Sequence, residues 1–407
     1  MANKTLPQGY KDSPLGIIPK EWEVKKLGDI CDYVDYRGKS PQKSSKGIFL
    51  ITAKNIREGY IDYEVSQEFI PIDEFEEAMR RGKALIGDVL ITTEAPLGHV
   101  AQIDKPNIAL AQRVIKYRAK SGLLNTYLKH FLMSEKFQTL LKANATGSTA
   151  LGIKGSRLHQ LPIILPCVDE QKQILLILNL WDTAIEKQSQ LIEKLKLRKR
   201  ALMQQLLTGK KRLPGFSGEW KEVKLGDVFD ERNETNRDDL PLLSITGDRG
   251  VIYQSDSDKR DISNDDKSKY KRICPNDIGY NTMRMWQGRS ALSNIEGIVS
   301  PAYTIVTPHK NVDVRFMAML IQQPRIVYDF WTHSQGLVSD TLNCKYPDFC
   351  QVKVRIPSKE GQTAIADMLY DFDKEINLAN EKLAILQSQK RGLMQQLLTG
   401  KKRIIHK

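Results

Sequence analysis

Two stretches of the chain, residues 174–206 and 365–397, carry a regular stripe of mostly apolar positions spaced alternately by four and three. This spacing is typical of a helix that pairs with another helix along one face. The first stripe consists of Ile174, Leu178, Trp181, Ile185, Gln188, Ile192, Leu195, Lys199, Leu202 and Leu206. The second consists of Ile365, Leu369, Phe372, Ile376, Ala379, Leu383, Leu386, Lys390, Leu393 and Leu397. The polar members Gln188, Lys199 and Lys390 are expected to set the register of the pairing.

Both predicted helices have recognisable ends. Each is expected to begin shortly after a proline, with Asp169 and Ser358 as possible N-caps. Each is expected to end where a glycine, Gly209 or Gly400, can adopt the left-handed conformation. A long helix with a single apolar stripe is not stable alone, so we expect the two helices to pair with each other.

The chain is an internal duplication. The sequence LMQQLLTGKKR at residues 202–212 recurs unchanged at residues 393–403. Because the period is far too long for a solenoid, each unit is a whole domain followed by a helix. We therefore predict α/β (α+β) heads joined by a pair of long antiparallel coiled-coil helices, with a pseudo-twofold internal duplication. The predicted boundaries are a first head at 1–166, a first helical region at 167–212, a second head at 213–357 and a second helical region at 358–407.

The heads show short alternating runs rather than long periodic segments. Strands are predicted at residues 89–93, 114–117, 250–253 and 303–306. One amphipathic helix is predicted at about 124–141 in the first head, and one at 314–330, broken at Pro324, in the second. These patterns indicate two mixed α/β domains of similar layout and different sequence.

The net charge of +13 is concentrated at the ends of the two long helices. Residues 194–212 and 390–407 are rich in lysine and arginine and contain no acid. Such clusters can simply solvate a helix end and offset its dipole. Their repetition favours a contact surface, either for phosphate or for a partner subunit. The residues predicted to bind a partner, because they lie off the stripe, are Lys196, Arg198 and Arg200.

The remaining chemistry is sparse. The five cysteines lack disulfide or metal-ligand spacing, the histidines are scattered, and no GxGxxG loop or amino-methylation tetrapeptide occurs. We therefore expect no catalytic residue and no metal site. No apolar run approaches the length that spans a bilayer, so we expect no membrane association and a cytoplasmic location.

Several motifs in the heads resemble a known family. The first head contains GDVLITT at 87–93, GHVA at 98–101 and TGST at 146–149. The second contains NTMRMWQG at 281–288 and GIVSPAY at 297–303. With these motifs the chain resembles, over nearly its whole length, the DNA-specificity (S) subunit of a type I restriction-modification system.

The resemblance implies a recognition subunit without an active site. It implies that each head binds one half of a bipartite, asymmetric DNA target. It also implies double-stranded DNA, two methyltransferase (M) subunits and, through them, restriction/translocase (R) subunits as partners. The S-adenosylmethionine, ATP and Mg²⁺ of such a system belong to those partner subunits, and no cofactor is expected on this chain.

Base reading requires side chains that present donors and acceptors to groove edges, and most basic candidates are expected to contact phosphate instead. The candidates in the first head are Thr52, Lys54, Asn55, Arg57, Thr93, Glu94, His99, Lys154 and Arg157. The candidates in the second head are Thr246, Arg249, Arg284, Trp286, Gln287, Arg289, Tyr303 and Lys345. A core position that closes its loop is the alternative for Trp286, and packing is the expectation for Met283 and Met285.

Two other classes of function remain open from the sequence. A stand-alone DNA-binding regulator would use the same heads but would not need a second surface on the helices. A coiled-coil scaffold without nucleic acid would explain the helices but not the heads. Salt-dependent DNA binding by the chain alone favours the first, and its absence even with a methyltransferase favours the second.

Overall fold

The computed structural model describes residues 6–36, 41–147, 150–247, 249–257, 261, 263–336 and 341–404. The chain divides into two compact units. Unit 1 comprises Met1–Ser189 and Glu381–Lys407, and unit 2 comprises Gln190–Asn380. Each unit therefore contains one head together with half of each long helix. The boundaries proposed above between heads and helical regions stay a prediction.

The head of unit 1 combines short strands with five short helices. Its strands are β1 Tyr10–Lys11, β2 Ile18–Pro19, β3 Glu23–Lys26, β4 Cys31–Asp35, β5 Ile48–Ile51, β6 Phe69–Ile70, β7 Val89–Thr93, β8 Leu97–Gln102, β9 Ile108–Leu110, β10 Val114–Ala119 and β11 Pro162–Leu165. Its helices are α1 Leu27–Ile30, α2 Phe75–Ala78, α3 Asn125–Met133, α4 Glu135–Ala143 and α5 Gly155–Leu158. The first long helix, α6, spans Val168–Leu206.

The head of unit 2 repeats this layout with different lengths. Its strands are β12 Lys221–Lys224, β13 Phe229–Glu231, β14 Leu243–Thr246, β15 Gly250–Tyr253, β16 Lys271–Ile273, β17 Ile278–Asn281, β18 Ser290–Leu292, β19 Gly297–Val299, β20 Tyr303–Pro308 and β21 Lys353–Ile356. Its helices are α7 Val314–Leu320, α8 Pro324–His333 and α9 Tyr346–Gln351, with 3-10 turns at Leu225–Asp227, Gln254–Asp256 and Met285–Gln287. The second long helix, α10, spans Lys359–Leu397.

The central sheet has the same order in both heads. In unit 1 the order is β4-β10-β7-β8, and in unit 2 it is β13-β20-β17-β18, with every neighbouring pair antiparallel. The smaller sheets differ, because unit 1 has β6-β5-β9 where unit 2 has the two pairs β14-β15 and β16-β19. The duplication thus preserves the frame of the head and changes the parts around it.

The long helices bury the predicted stripes. All twenty stripe positions are buried or half-buried. Ser358 precedes α10, and its hydroxyl accepts a hydrogen bond from the Gly361 amide at 3.4 Å, so this N-cap is confirmed. The predicted N-cap Asp169 is wrong, because α6 begins at Val168 and places Asp169 in its first turn.

One reciprocal ion pair fixes the helix register in each unit. In unit 2 the Lys199 ammonium lies 2.6 Å from a carboxylate oxygen of Asp373. In unit 1 Lys390, the counterpart of Lys199, pairs with Asp182, the counterpart of Asp373. Because both pairs fit a single register in which the chains run in opposite directions, the predicted antiparallel pairing is confirmed.

A duplicated glutamine fastens each long helix to its head. The side-chain oxygen of Gln171 accepts a hydrogen bond from the Leu124 amide at 2.9 Å, and its amide group donates to the Pro166 carbonyl at 2.9 Å. Gln362 makes the same contacts with the Asp313 amide and the Pro357 carbonyl. Each buried glutamine therefore satisfies main-chain groups at the junction of head and helix.

The helix ends repeat another contact. Gly209 and Gly400 have φ values of +69° and +70°, as predicted for left-handed C-terminal residues. Gly209 packs on the Trp220 ring, and Gly400 packs on Pro19 and the Trp22 ring. A Cβ atom at Gly209 would lie 3.4 Å from the Trp220 ring, whereas one at Gly400 would overlap Pro19 at 2.3 Å and crowd the Trp22 ring at 3.1 Å. The sequence Thr-Gly therefore ends each helix and leaves room for a tryptophan.

The helix predicted at 124–141 is wrong as a single element. It is two helices, α3 and α4, separated at Ser134, which has extended backbone angles. The Ser134 hydroxyl accepts a hydrogen bond from the Phe137 amide and so caps α4. The apolar periodicity continues across the break, which is why the pattern alone did not reveal it.

The segment before each head differs between the units. In unit 1, Leu15 and Ile18 are buried in the same apolar cluster as Val24 and Ile164, which pair across β3 and β11. In unit 2 the connection into Trp220 is shorter. Glu222 and Arg355 pair across β12 and β21 at the counterpart positions, are exposed and line an open groove of about 850 Å³. In unit 2 the strand pair is therefore polar at the positions that a segment with Leu15 and Ile18 accompanies in unit 1.

Two global features follow from the described residues. Within the part of the chain that the structure describes, no helix is long and apolar enough to cross a membrane. The five cysteines are free thiols.

A buried histidine generates a test of acid stability. His130 is fully buried in unit 1, its ring nitrogens have no hydrogen-bond partner among the described residues, and Nε2 lies 3.6 Å from the Asp182 carboxylate. Burial, with the nearby charges of Lys129 and Lys390, holds the pKa of His130 well below its usual value. The folded protein keeps the ring neutral while the unfolded chain protonates it, so stability falls as pH drops below about 6.5, by about 1.4 kcal/mol per pH unit.

Methionine occupies the counterpart position, 319, in unit 2. Between pH 7.5 and pH 5.5 we expect the free energy of unfolding, measured by urea unfolding, to fall less in the His130→Met variant than in the wild type. His333→Met, at an exposed histidine, is the matched control and should change the pH dependence little. Parallel curves for wild type and His130→Met would contradict the burial of a neutral ring.

The duplication also predicts the behaviour of a half-length chain. A fragment of residues 1–212 lacks Met394, Leu397 and Leu398, which complete the core of unit 1. The identical residues Met203, Leu206 and Leu207 of a second copy can replace them. We therefore expect the fragment to form a homodimer, which light scattering can detect. A monomer would leave the apolar partners of these residues exposed, at a cost of about 1.5 to 3 kcal/mol per large side chain, which is more than a marginally stable domain tolerates.

In this dimer Lys199 of each copy should face Asp182 of the other copy. Lys199→Asp should weaken dimerisation, and adding Asp182→Lys should restore it. With a methyltransferase, the dimer is expected to recognise an inverted repeat of the first half-site. A folded monomer would refute the helix pairing.

Candidate nucleic-acid interface

Each head has a loop at the same end of its central sheet. Loop 1 is defined as residues 93–99, which comprise the connection between β7 and β8 together with the strand residues that flank it, and loop 2 as residues 282–289, which join β17 to β18. Both loops contain a left-handed glycine, Gly98 with φ +82° and Gly288 with φ +74°. The candidate residues of both heads can be located relative to these loops.

A buried aspartate anchors the strand before each loop. Asp88 accepts two hydrogen bonds from the Arg118 guanidinium, at 2.7 and 2.8 Å. Asp277 accepts two from Arg232, at 2.7 and 3.2 Å, and a third from the Thr307 hydroxyl at 2.9 Å. The hydrogen bonds to these carboxylates raise the pKa of both arginines. These pairs hold β7 and β17 rigidly and leave the loops beyond them exposed.

Loop 1 meets a second segment of the head. The Ile153 amide donates to the Thr93 carbonyl at 3.0 Å, and Glu94 forms a β-bridge with Gly152. This brings Lys154 beside Thr93 and Glu94 in one shallow depression. Of the TGST motif, residues 148 and 149 lie outside the described residues.

The turn at 52–57 is a third segment, and it contacts His99 of loop 1. A ring nitrogen of His99 lies 2.9 Å from the Ile56 carbonyl oxygen, and the Gly59 amide donates to the Val100 carbonyl at 2.8 Å. The structure therefore brings together three segments that were predicted separately from the sequence.

Loop 2 collects its candidate residues in the same way. The Cys344 amide donates to the Thr282 carbonyl at 2.9 Å, which places Lys345 next to the loop. Tyr303 pairs with Asn281 in the sheet. The β14–β15 turn is adjacent as well, because a side chain at Gly247 would lie within 2.4 Å of the Arg289 guanidinium.

Two of the predicted DNA-binding residues, Asn55 and Thr93, are buried in the structure. Asn55 is fully buried, and its amide oxygen accepts from the Thr52 amide and hydroxyl while its nitrogen donates to the Asp62 and Ser66 carbonyls. Thr93 is 2% exposed. In the structure Asn55 organises a turn and Thr93 supplies a main-chain oxygen to Ile153, and their prediction as DNA-binding residues stays a prediction.

The other candidates are at least partly accessible. The exposed ones are Lys54, Lys154, Arg157, Arg249, Arg284, Gln287, Arg289 and Lys345. The half-buried ones are Thr52, Arg57, Glu94, His99, Thr246, Trp286 and Tyr303. Some have partners already: Arg57 lies 3.6 Å from Asp62, and the Arg157 guanidinium donates to Asn144 at 2.8 Å. Whether any of these residues contacts DNA stays a prediction.

Trp286 and the neighbouring methionines separate into two roles. The Trp286 indole N–H donates to the Met283 carbonyl at 3.0 Å, so the ring closes loop 2. Met285 is fully buried, as predicted. The expectation that Met283 packs in the core is wrong, because 46% of this residue is exposed.

Sequence reasoning also missed neighbours of the loops. The Arg113 guanidinium lies 3.8 Å from the Glu94 carboxylate. On α8, which packs against the Met285–Gln287 turn, the exposed rings of Tyr328 and Trp331 lie 5.5 Å apart. The QR pair at 112–113 was a signal for Arg113. An amphipathic helix pattern gave no signal for exposed aromatic rings, since such rings usually face the core.

The predicted partner-binding residues lie off the stripe on α6. Lys196, Arg198 and Arg200 are exposed. Lys196 forms an ion pair with Glu193 at 2.8 Å, and the Arg198 guanidinium lies 5.3 Å from the centre of the Phe372 ring. The cluster is therefore accessible, and its role stays a prediction. Among the described residues, no group of histidine, cysteine or acidic side chains could hold a metal ion.

The turn at 52–57 offers a test that separates structure from binding. Asn55→Ala leaves the Thr52 amide and the Asp62 and Ser66 carbonyls without their partner, so we expect a loss of about 2 kcal/mol or more in the free energy of unfolding. Lys54→Ala, at the exposed neighbour, should change it by less than about 0.5 kcal/mol. Denaturant titration measures both. Equal effects would contradict the structural role of Asn55.

The profile of the type I restriction modification DNA specificity domain matches residues 19–197 and again residues 217–388. The two matches together cover most of the chain and correspond to its two halves.

Relatives and solved structures agree with this match. A candidate specificity subunit of the type I restriction enzyme MjaX from Methanocaldococcus jannaschii is 25% identical, over 98% of this chain and 97% of its own length. The crystal structure of the type I S subunit from M. genitalium is similar in fold, with a TM-score of 0.52, 15% identity and coverage of 92% of this chain and 96% of that one.

A further chain, solved in a study of complex assembly and conformational transition of the type I R-M system, has a TM-score of 0.59 at 16% identity and covers 95% of this chain and 99% of its own. The chain therefore belongs to the DNA-specificity subunits of type I restriction-modification systems, with two specificity domains in one polypeptide.

Proposed function

We propose that each head of this chain reads one half of a bipartite, asymmetric DNA target. The observation that carries the proposal is that segments distant in the sequence meet at one loop in each head, loop 1 in unit 1 and loop 2 in unit 2. The frame beneath the loops is conserved by the duplication, whereas the exposed side chains differ. Two unlike reading surfaces on a common frame fit two unlike half-sites.

The chain itself supplies recognition and no catalysis in this proposal. Methylation belongs to two M subunits, and cleavage or translocation belongs to R subunits that join through them. S-adenosylmethionine, ATP and Mg²⁺ act on those partners. The complex works in the cytoplasm, where its DNA target is found.

The proposed docking surface for the M subunits is the outer face of the paired helices. Repeated surfaces suit repeated partners, and the helices present two related faces. We include Lys196, Arg198 and Arg200 in this surface because all three are exposed on α6. A stand-alone regulator or a scaffold without nucleic acid does not use both surfaces together.

Methylation mapping tests the two-site reading. In a host that carries this chain with its M subunits, we expect methylated adenines within two short, unrelated half-sites separated by a nonspecific spacer. Sequencing of the methylated genome gives the motif directly. One continuous palindromic motif would be incompatible with one half-site per head.

A second measurement addresses the alternatives. Binding to the mapped target should need the M subunits and should weaken as salt rises, because phosphate contacts release counterions. Tight, specific binding by the chain alone would favour a regulator. No DNA binding with M subunits present would favour a scaffold.

Charge reversal tests the docking face. Lys196→Glu, Arg198→Glu and Arg200→Glu combined should weaken assembly with the M subunits, measured by analytical ultracentrifugation, without lowering thermal stability substantially. The control combines Lys25→Glu, Lys26→Glu and Lys120→Glu, which makes the same change of charge at exposed positions of the unit 1 head. If the first triple leaves assembly and methylation intact, the cluster merely solvates the helix.

A further inference from the structure

Loop 1 and loop 2 start from the same main-chain contact. Thr93 and Thr282 each accept a hydrogen bond at their carbonyl oxygen from the amide that precedes a lysine, Lys154 in unit 1 and Lys345 in unit 2. The two threonines are therefore counterparts. The residues that follow them, Glu94 and Met283, are therefore counterparts as well, and both lie just beyond the ends of β7 and β17.

These two counterpart positions carry opposite chemistry. Position 94 is glutamate, and 45% of its side chain is exposed. Position 283 is methionine, and 46% of that residue is exposed. One head thus presents a charged acceptor, and the other presents an apolar group of similar length, at the same place in the frame.

The Met283 side chain protrudes from a backbone that is held on both sides. Its amide donates to the Asn281 side-chain oxygen at 3.0 Å, and its carbonyl accepts from the Trp286 indole at 3.0 Å. Thr282, just before it, is tied to Cys344 and to the Ala302 carbonyl. These contacts fix the backbone from which the Met283 side chain protrudes, and a group that reads a base requires such a firm attachment.

Glu94 is positioned differently but also firmly. Its main chain bridges to Gly152, and the Arg113 guanidinium lies 3.8 Å from its carboxylate. An exposed carboxylate is repelled by phosphates, so on a DNA-facing loop it needs a positive neighbour and a donor on the nucleic acid. Arg113 supplies the first of these, and the amino group of a base supplies the second.

We propose that Glu94 and Met283 are the residues that set one base in each half-site, a cytosine for Glu94 and a thymine for Met283. The carboxylate accepts from the cytosine N4 amino group in the major groove, and the Met283 side chain contacts the thymine 5-methyl group. This inference rests on the proposed function, since it requires the heads to read DNA.

Exchanging the two chemistries tests the assignment in the assembled complex with M subunits. Met283→Glu should change the methylated motif at one position of the second half-site only, and Glu94→Met at one position of the first. Met283→Leu keeps an apolar group and should leave the motif unchanged. Met368→Glu, at an exposed methionine of α10, is the matched control and should also leave it unchanged.

Base analogues identify the contacted groups. In duplexes where each thymine of the second half-site is replaced in turn by uracil, the wild-type complex should lose about threefold to fivefold in affinity at one position. The Met283→Ala complex should lose nothing further there. N4-methylcytosine in the first half-site should cost the wild type about tenfold at one position, and the Glu94→Met complex should be indifferent to it.

The outcomes separate this inference from the proposed function. A wild-type complex that methylates a bipartite motif, yet tolerates uracil and N4-methylcytosine at every position, would overturn the assignment while the proposed function stands. Half-sites without a thymine or a cytosine at the required place would do the same. A wild-type complex without any bipartite motif would overturn the proposed function itself.

Discussion

The antiparallel pairing of α6 with α10 is the interaction on which the rest of the molecule depends. The core of unit 1 includes Leu397 and Leu398 from the end of α10, and the core of unit 2 includes Leu206 and Leu207 from the end of α6. Neither head therefore completes its core with its own half of the chain. Burial of these leucines couples the folding of each head to the helix contributed by the other half.

Register is the second constraint on this pairing, and charge supplies it. An apolar stripe alone permits the helices to slide by whole heptads, because leucine and isoleucine are nearly interchangeable as partners. The reciprocal pairs Lys199–Asp373 and Lys390–Asp182 are both satisfied in only one register. Removing one partner leaves a partly buried charge, so a shifted register is penalised rather than merely less favoured.

Patterns of local origin were predictable from the sequence, and contacts between distant residues were not. The stripes, the left-handed glycines and the strands at 89–93 and 250–253 follow from periodicity and from backbone preferences, and the structure confirms them. The break at Ser134 and the burial of Asn55 depend on contacts made only after folding. Asp182 and Asp373 lie beside the stripe, and the heptad pattern gave no reason to single them out as lysine partners.

In the candidate site, too, local motifs were predictable and contacts between distant segments were not. The motifs indicated which loops matter, and the structure joins them through main-chain hydrogen bonds that no sequence pattern encodes. The exposure of Met283 could not be predicted, because methionine is among the residue types that are most often fully buried. Its backbone is held by hydrogen bonds to Asn281 and Trp286, two residues whose own placement depends on the sheet.

The strand pair β3–β11 of the first head is covered by an N-terminal segment, whereas its counterpart β12–β21 in the second head is not. This difference limits how the two heads can be exchanged between their positions in the chain. Val24 and Ile164 lie in the apolar cluster that also buries Leu15 and Ile18 of the N-terminal segment, whereas Glu222 and Arg355 face an open groove. Because the helix ends are identical, a recombined gene could place either head in either position. If the first head occupied the second position in the chain, its apolar pair Val24 and Ile164 would be exposed unless the N-terminal segment were transferred with it. The strand pair of the second head is polar, so it needs no apolar cover of this kind and the second head is the easier of the two to move.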